Sequence, residues 1–363
     1  MRDFLRLESD KYIETTDGTT PMNLKALSQH LGLSQTTVSR ALNGYPEVSE
    51  RTRERVMQAA IELNYRPNPN AKSLATGRTE HIGIILPIEQ NLFMEPVFGE
   101  FMAGIAQCLA EADMDMTIMP TPRSNELQAY QQLAISGRVD GILISSPTLQ
   151  DARVACLAES DFPFVLHGRT ECAFPYSYLD IDNQGAFANA TRLLLDLGHQ
   201  RISLVNGDES MTFARDRHAG YRQALQEHGV TYDPQLVCSQ GSMTEEHGFN
   251  SVSRLLLQRP RPSAFIVGSM ILALGAMRAI RHHGLEPGHD IALIAHDDHL
   301  PYLQADKFDP PLTTTSSSIR AAGYEITQVL HAEINNKGMG HSQTVLPVEL
   351  IVRGSTRTYK RPA

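Results

Sequence analysis

The residues with the clearest chemistry lie between positions 35 and 43: Gln35, Thr36, Thr37, Ser39, Arg40 and Asn43. Arginine can pair with both acceptors on the edge of guanine, and glutamine can do the same with adenine. Threonine and serine hydroxyls can hold phosphate oxygens or touch either base type. A Gln-Thr-Thr-x-Ser-Arg face has little use inside a folded core but suits the reading of a DNA groove. The rival reading is a three-helix packing module that touches no nucleic acid.

The elements that must carry these residues are legible. Leu24, Leu27 and Leu31 fall on one face of a short helix. Gly32 can supply the positive φ of a tight turn, and Ser34 is a good N-cap for the next helix. That helix, 35–42, turns Val38, Ala41 and Leu42 inward and leaves the polar face outside. Asn43-Gly44 is a stop signal. Ser49 caps a third helix whose apolar stripe is Val56, Ala59, Ala60 and Leu63. The arrangement is a helix-turn-helix, which places its second helix in the major groove.

Charge agrees. Residues 22–78 hold eight Lys and Arg against four Glu, a net of +4; the whole chain is −9, so the remainder carries −13. A basic head on an acidic body suits a protein whose head alone meets phosphate. Between them, Asn68 can cap and Pro69 suits a first helical position. The segment 70–75 is too short to be a stable helix alone, so it is expected to be disordered when free and helical on DNA. Lys72 and Leu74 of this segment join the candidate DNA-binding residues. The domain boundaries are therefore a disordered extension at 1–21, a helix-turn-helix domain at 22–66, a hinge at 67–79 and a two-lobed effector-binding and dimerisation domain at 80–363. The first 21 residues are polar and read as neither signal peptide nor membrane anchor; they could also reflect a start placed too far upstream.

From His81 onward, β-rich runs at 82–86, 116–119, 141–145, 164–167, 177–181, 202–206, 264–267, 291–295 and 312–316 alternate with helical patterns at 99–111, 125–136, 184–197, 217–229, 245–258 and 271–283. A further strand-like run occupies 344–352. Such alternation implies parallel sheets covered by helices on both faces, and the length implies two doubly wound lobes. Ligands of such sheets bind at the C-terminal ends of the strands. His296-Asp297-Asp298-His299 ends one of these strands, where a carboxylate can accept two hydroxyl hydrogen bonds. The same four residues could also be metal ligands or a self-capping loop. Cys108, Cys156, Cys172 and Cys238 form no Cys-x-x-Cys pair, which fits a reducing compartment and no zinc site. No run is long enough to span a bilayer, so a cytoplasmic location is expected. No P-loop, dinucleotide fingerprint or nucleophile elbow is present; no catalytic residue, cofactor or metal is assigned.

Thr-Val-Ser-Arg-Ala-Leu-Asn-Gly at 37–44, Arg-Pro-Asn-Pro-Asn-Ala-Lys-Ser-Leu at 66–74 and Ile-Gly-Ile-Ile-Leu-Pro at 82–87 make the chain resemble the lactose-repressor/galactose-repressor family of bacterial transcription regulators. The resemblance runs from about Met22 to the end of the chain. It implies a homodimeric repressor on a pseudo-palindromic double-stranded operator, with a body like the periplasmic sugar-binding fold. It further implies that two hinge helices enter the minor groove, where Leu74 wedges the central step. The chain would cross between lobes three times, near 165–168, 296–300 and 318–325.

The family's cleft implies effector contacts at Asp297, the first aspartate of the pair, and at Arg217, within an Arg-x-x-Gly-aromatic pattern. Tyr221 would then be a stacking aromatic, although a solvated arginine and a core tyrosine fit that pattern too. Arg169, Ser146 and Phe93 are weaker candidates, and Asp182-Asn183 reads as helix capping. One departure stands out. Ser269-Met270 replaces an Asn-Asp pair, so Ser269 can still bond a hydroxyl but the carboxylate is gone. The segment from His296 through Pro310-Pro311 to Gly323 resembles the α-glucoside-type regulators, implying a disaccharide such as sucrose, maltose or trehalose as inducer. A co-repressing ligand and a transporter's solute-binding protein are the alternatives.

Overall fold

The computed structural model describes residues 22–65, 77–89, 96–160, 162–335 and 340–359. The chain divides into two compact units, one ending at Thr79 and the other starting at Glu80.

The first unit contains α1 (Leu24–Leu31), α2 (Gln35–Leu42) and α3 (Glu50–Glu62). Leu27, Leu31, Val38, Ala41, Val48, Val56, Ala59 and Ala60 form its core. Each helix starts on a side-chain cap: Asn23, Ser34 and Ser49 accept from the backbone N–H groups of Ala26, Thr37 and Thr52. Gly32 closes α1 at φ 64°, a left-handed value that glycine adopts without a Cβ clash. The Arg55 guanidinium donates to the Leu31 carbonyl over 2.6 Å and so ties α3 to the end of α1.

The second unit holds two six-stranded sheets. Its strands are β1 (His81–Pro87), β2 (Asp115–Thr121), β3 (Gly141–Ser145), β4 (Phe164–His167), β5 (Ser177–Ile181), β6 (Ile202–Val205), β7 (Val237–Cys238), β8 (Ala264–Val267), β9 (Ala292–Asp297), β10 (Thr313–Ser316), β11 (Gln343–Leu346) and β12 (Glu349–Ile351). The sheet orders are β2-β1-β3-β4-β5-β11 and β7-β6-β8-β9-β10-β12. All pairs are parallel except β10 with β12. Both lobes thus repeat the doubly wound order 2-1-3-4-5, with a switch point between β1 and β3 in one and between β6 and β8 in the other. Central strands such as β6 and β8 are buried along their whole length, as expected where helices cover both faces.

The covering helices are α4 (Pro96–Glu111), α5 (Glu126–Ile135), α6 (Ala152–Glu159), α7 (Asn183–Asp196), α8 (Thr212–Glu227), α9 (Glu245–Leu256), α10 (Met270–His282) and α11 (Ile319–Asn335). They pack in pairs, α4 with α11, α7 with α8 and α9 with α10. Close backbone approach explains the glycines at these crossings. A Cβ on Gly220 would lie 2.0 Å from the Gln184 carbonyl oxygen. That accounts for the glycine of the Arg-x-x-Gly pattern by packing alone.

The chain passes between lobes at three places: one adjoins the expected 318–325, and none falls at 165–168 or 296–300. β5 is in the first sheet while α7 packs on the second, so the first passage is near Asp182, not 165–168. The second follows β10 at residues 317–318, not 296–300; α11 then covers the first sheet across most of 318–325. The third lies between β11 and β12, within the run 344–352 that reads as one strand. Pro347, which has no N–H for a ladder, separates two short strands in different sheets. The two-residue β7 is too short to carry a pattern of its own.

Candidate functional site

On the head, α2 presents Gln35, Thr36 and Arg40 as exposed side chains, while Val38 and Ala41 are buried beneath them. Thr37 and Ser39 are half-buried. The Thr37 hydroxyl lies 2.8 Å from Ser34 Oγ, and its N–H donates to the same atom. Asn43 donates from Nδ2 to the Ser39 carbonyl over 2.9 Å, so it closes the helix. The six candidates therefore split by role. Gln35, Thr36 and Arg40 are available to base edges, whereas Thr37, Ser39 and Asn43 also hold the helix ends. Lys72 and Leu74 lie outside the described residues.

In the body, the C-terminal ends of β4, β5 and β9 and the N-terminal half of α8 bring charged groups from both lobes together. Arg169, just after β4, donates from Nε to Asp180 of β5 over 2.6 Å and reaches Asp216 of α8 at 3.5 Å. The backbone adds a second link between lobes, where the Thr212 N–H donates to the Pro147 carbonyl over 3.0 Å. Burial raises the Asp216 carboxyl above the usual range, with Asp180 and Asp182 adding to this against the pull of Arg169.

Arg217 is only 5 % exposed. Its Nε donates to Asn183 Oδ1 over 2.7 Å and its Nη1 to the Gly268 carbonyl over 2.8 Å. The guanidinium lies over the rings of Phe187 and Phe213, 5.1 and 5.0 Å from their centroids. Both hydrogen-bond acceptors are neutral, and burial pushes the group down to about 10, with Asp298 and Asp180 pulling the other way. A buried cation held by neutral acceptors is costly, which is what a binding group kept for a ligand looks like.

Asp298 is the carboxylate that meets this cluster. Burial acts to raise it, but His296, the contact to that ring, Arg217 and His167 outweigh burial and hold it below the usual carboxylate range. His296 is fully buried, with Nδ1 3.0 Å from Thr315 Oγ1 and Nε2 3.5 Å from Asp298 Oδ1. His167, at the end of β4, is stacked on Phe101. Burial lowers both imidazoles, so both are neutral near pH 7. Asp297, by contrast, accepts the His299 N–H over 2.8 Å, and its backbone carbonyl accepts from Ser317. His299 turns to Ser316 Oγ at 2.6 Å. The first aspartate therefore shapes its own loop and the second faces the cleft. The four side chains do not converge, and no metal-binding group of three or more His, Cys, Asp or Glu occurs among the described residues.

Other expectations need correction. Tyr221 is not a stacking aromatic: it is 1 % exposed, its hydroxyl donates to the Ile202 carbonyl over 2.8 Å, and it packs in the core under α7. α8 begins at Thr212, so Arg217 sits in its second turn and Tyr221 one turn deeper. Ser269 is the N-cap of α10, accepting from the Leu272 N–H over 3.1 Å, and Met270 is core. Ser146 is exposed at φ 53° and offers its carbonyl to Arg153. Asp182 does cap α7, through the Gly185 N–H, while its neighbour Asn183 orients Arg217. Phe93 lies outside the described residues. His167, Asp180 and Asp216 escaped the sequence reading. The available signal was the carboxylate of Asp180, next to the C-terminal residue of the strand Ser177–Ile181.

No helix among the described residues is long and apolar enough to cross a membrane. Residues 26–68 match the family described as bacterial regulatory proteins, lacI family, and residues 191–356 match a periplasmic binding protein-like domain. The HTH-type transcriptional regulator AglR of Rhizobium meliloti (strain 1021) is 47 % identical over 338 residues, covering 93 % of this chain and 94 % of that protein. A transcriptional regulator CelR–cellobiose complex superposes with a TM-score of 0.67 at 31 % identity, covering 92 % of this chain and 99 % of the other. The lac repressor dimer bound to operator and the anti-inducer ONPF gives 0.79 at 27 % identity, over 93 % and 100 %. With a helix-turn-helix head, two doubly wound lobes and a polar cleft between them, the chain belongs to the lacI family of bacterial regulatory proteins and is a DNA-binding transcriptional regulator.

Proposed function

We propose that the chain acts in the cytoplasm as a homodimeric repressor of a carbohydrate-utilisation operon, released from a pseudo-palindromic operator by a neutral α-glucoside bound between the lobes. Residues 22–66 would read the operator, 67–79 would couple it to the body, and 80–363 would bind sugar and dimerise. The observation that carries the effector class is the charge balance of the cleft. Asp180, Asp216 and Asp298 face Arg169 and Arg217, with His167 and His296 held neutral. That set offers carboxylate acceptors and guanidinium donors to hydroxyls but repels a phosphorylated sugar. The cellobiose complex of a relative supports a disaccharide, and the likeness of 296–323 to α-glucoside-type regulators supports the anomer.

Asp298 and Arg217 are the principal hydroxyl partners in this proposal, with Arg169 holding the lobes in register. Fluorescence anisotropy on DNA from upstream of the gene tests it, at fixed salt because affinity depends steeply on ionic strength. Maltose, sucrose and trehalose are compared with cellobiose and with glucose 6-phosphate. Release by one α-linked disaccharide and not by the phosphate is expected. Tighter binding on adding sugar would make the ligand a co-repressor; release by the phosphate alone would overturn the neutral-sugar assignment.

A further inference from the structure

Asn206 follows β6 and Gly268 follows β8, the two strands that flank the switch point of the second lobe. The strands pair at Val205 and Val267, so the two residues emerge side by side. Asn206 is fully buried. Its Nδ2 donates to the Ala214 carbonyl over 2.7 Å, which fixes the amide and turns Oδ1 the other way. Oδ1 has no hydrogen-bond partner. A buried carbonyl oxygen without a donor is unfavourable, and native proteins seldom leave one so.

The surroundings of that oxygen are built from small and movable groups. A Cβ on Gly268 would lie 3.3 Å from Asn206 Oδ1 and 3.5 Å from Met243 Sδ. A Cβ on Gly207 would lie 3.5 Å from the same sulfur and 3.4 Å from the Phe213 ring. Met243 therefore lies over both glycines, and it is a flexible thioether that can change rotamer at little cost. The Gly268 carbonyl is held by Arg217, which fixes the floor of this corner to the cleft cation.

We infer that Asn206 is a specificity-determining acceptor: on ligand binding Met243 swings aside, one sugar hydroxyl donates to Asn206 Oδ1, and the apolar face of that ring rests on Phe213. This rests on the reading of the cleft as a neutral-sugar site. It adds a requirement that the reading lacks, namely a free hydroxyl at one defined position of the ring nearest the second lobe. A sugar substituted or deoxygenated there is rejected.

The test is isothermal titration of the full chain with the disaccharide that releases DNA and with its monodeoxy analogues. Thermal unfolding serves as the control for folding. Wild type should lose about tenfold or more in affinity for one deoxy analogue. Asn206→Ala should bind the parent sugar more weakly and show no further loss for that analogue. Gly268→Ala keeps the test alive if Asn206→Ala does not fold. Its added methyl would lie 3.3 Å from Oδ1 and fill the space in front of it, and sugar affinity should drop about tenfold with cooperative thermal unfolding retained. Wild-type affinity in Gly268→Ala, or a deoxy penalty that persists in Asn206→Ala, overturns the assignment and leaves the cleft reading standing. Absence of binding by every sugar in wild type overturns both.

Discussion

Replacing Arg217 with methionine separates the cost of this residue to the fold from its use. The guanidinium is buried and its pKa sits near 10, well below the ordinary arginine value. That difference corresponds to about 3 kcal/mol of stability that the native state gives up to keep the charge. Methionine restores this term and fills much of the volume. It also leaves Asn183 Oδ1 and the Gly268 carbonyl without their donor. Each orphaned buried acceptor costs about 1–3 kcal/mol, so about 2–6 kcal/mol for the two. The stacking on Phe187 and Phe213 is partly replaced by the thioether. The balance is a change between nearly zero and a loss of about 3 kcal/mol. Arg217→Met should therefore fold and bind operator DNA, but no longer be released by sugar. Urea unfolding gives the first quantity, and anisotropy on operator DNA with and without sugar gives the second. A loss well above 5 kcal/mol would make Arg217 a structural hub. Release at wild-type sugar concentrations would remove it from the site.

Arg40→Ala should cost about 1–3 kcal/mol at one base pair in each half-site and relax the preference there. An equal loss on all DNA sequences, seen in a panel of single-base operator variants, would reduce Arg40 to a phosphate contact. Asp298→Asn should abolish the sugar response with operator affinity retained, whereas Asp297→Asn should disturb the 297–299 loop and leave a weakened response; the reverse ranking in the anisotropy assay would restore the first aspartate to the site. Tyr221→Phe should lower stability by about 1–3 kcal/mol by orphaning the Ile202 carbonyl, with sugar affinity unchanged in calorimetry. Stability should also fall on acidification. His167, His199 and His296 have folded values below the ordinary 6.5, so below that pH the unfolded chain binds protons that the folded chain refuses. The urea midpoint should therefore be higher at pH 7.5 than at pH 5.5, and a flat profile between the two would contradict the burial of these rings.

The sequence by itself determined the head. Its caps, the glycine turn and the apolar stripes are all encoded within a few residues of one another, so Ser34, Gly32 and the buried Val38 could be placed from spacing alone. The alternation of strands and helices likewise fixed the doubly wound class, because a strand buried on both faces must be apolar throughout. Only the tertiary structure decided which polar residues face the cleft. Asp297 and Asp298 are adjacent and chemically identical, and the choice between them depends on a hydrogen bond to His299 and on the charge of Arg217, far away in sequence. Tyr221 matched a local pattern, but its position in the third turn of α8 points it at β6. Arg169 meets Asp216 only because the chain passes between lobes near Asp182, and Pro347 divides what reads as one strand between two sheets. Local signals act over a turn or a strand pair; a cleft is assembled from groups whose proximity is set by packing across the whole body, and no spacing rule in the chain records it.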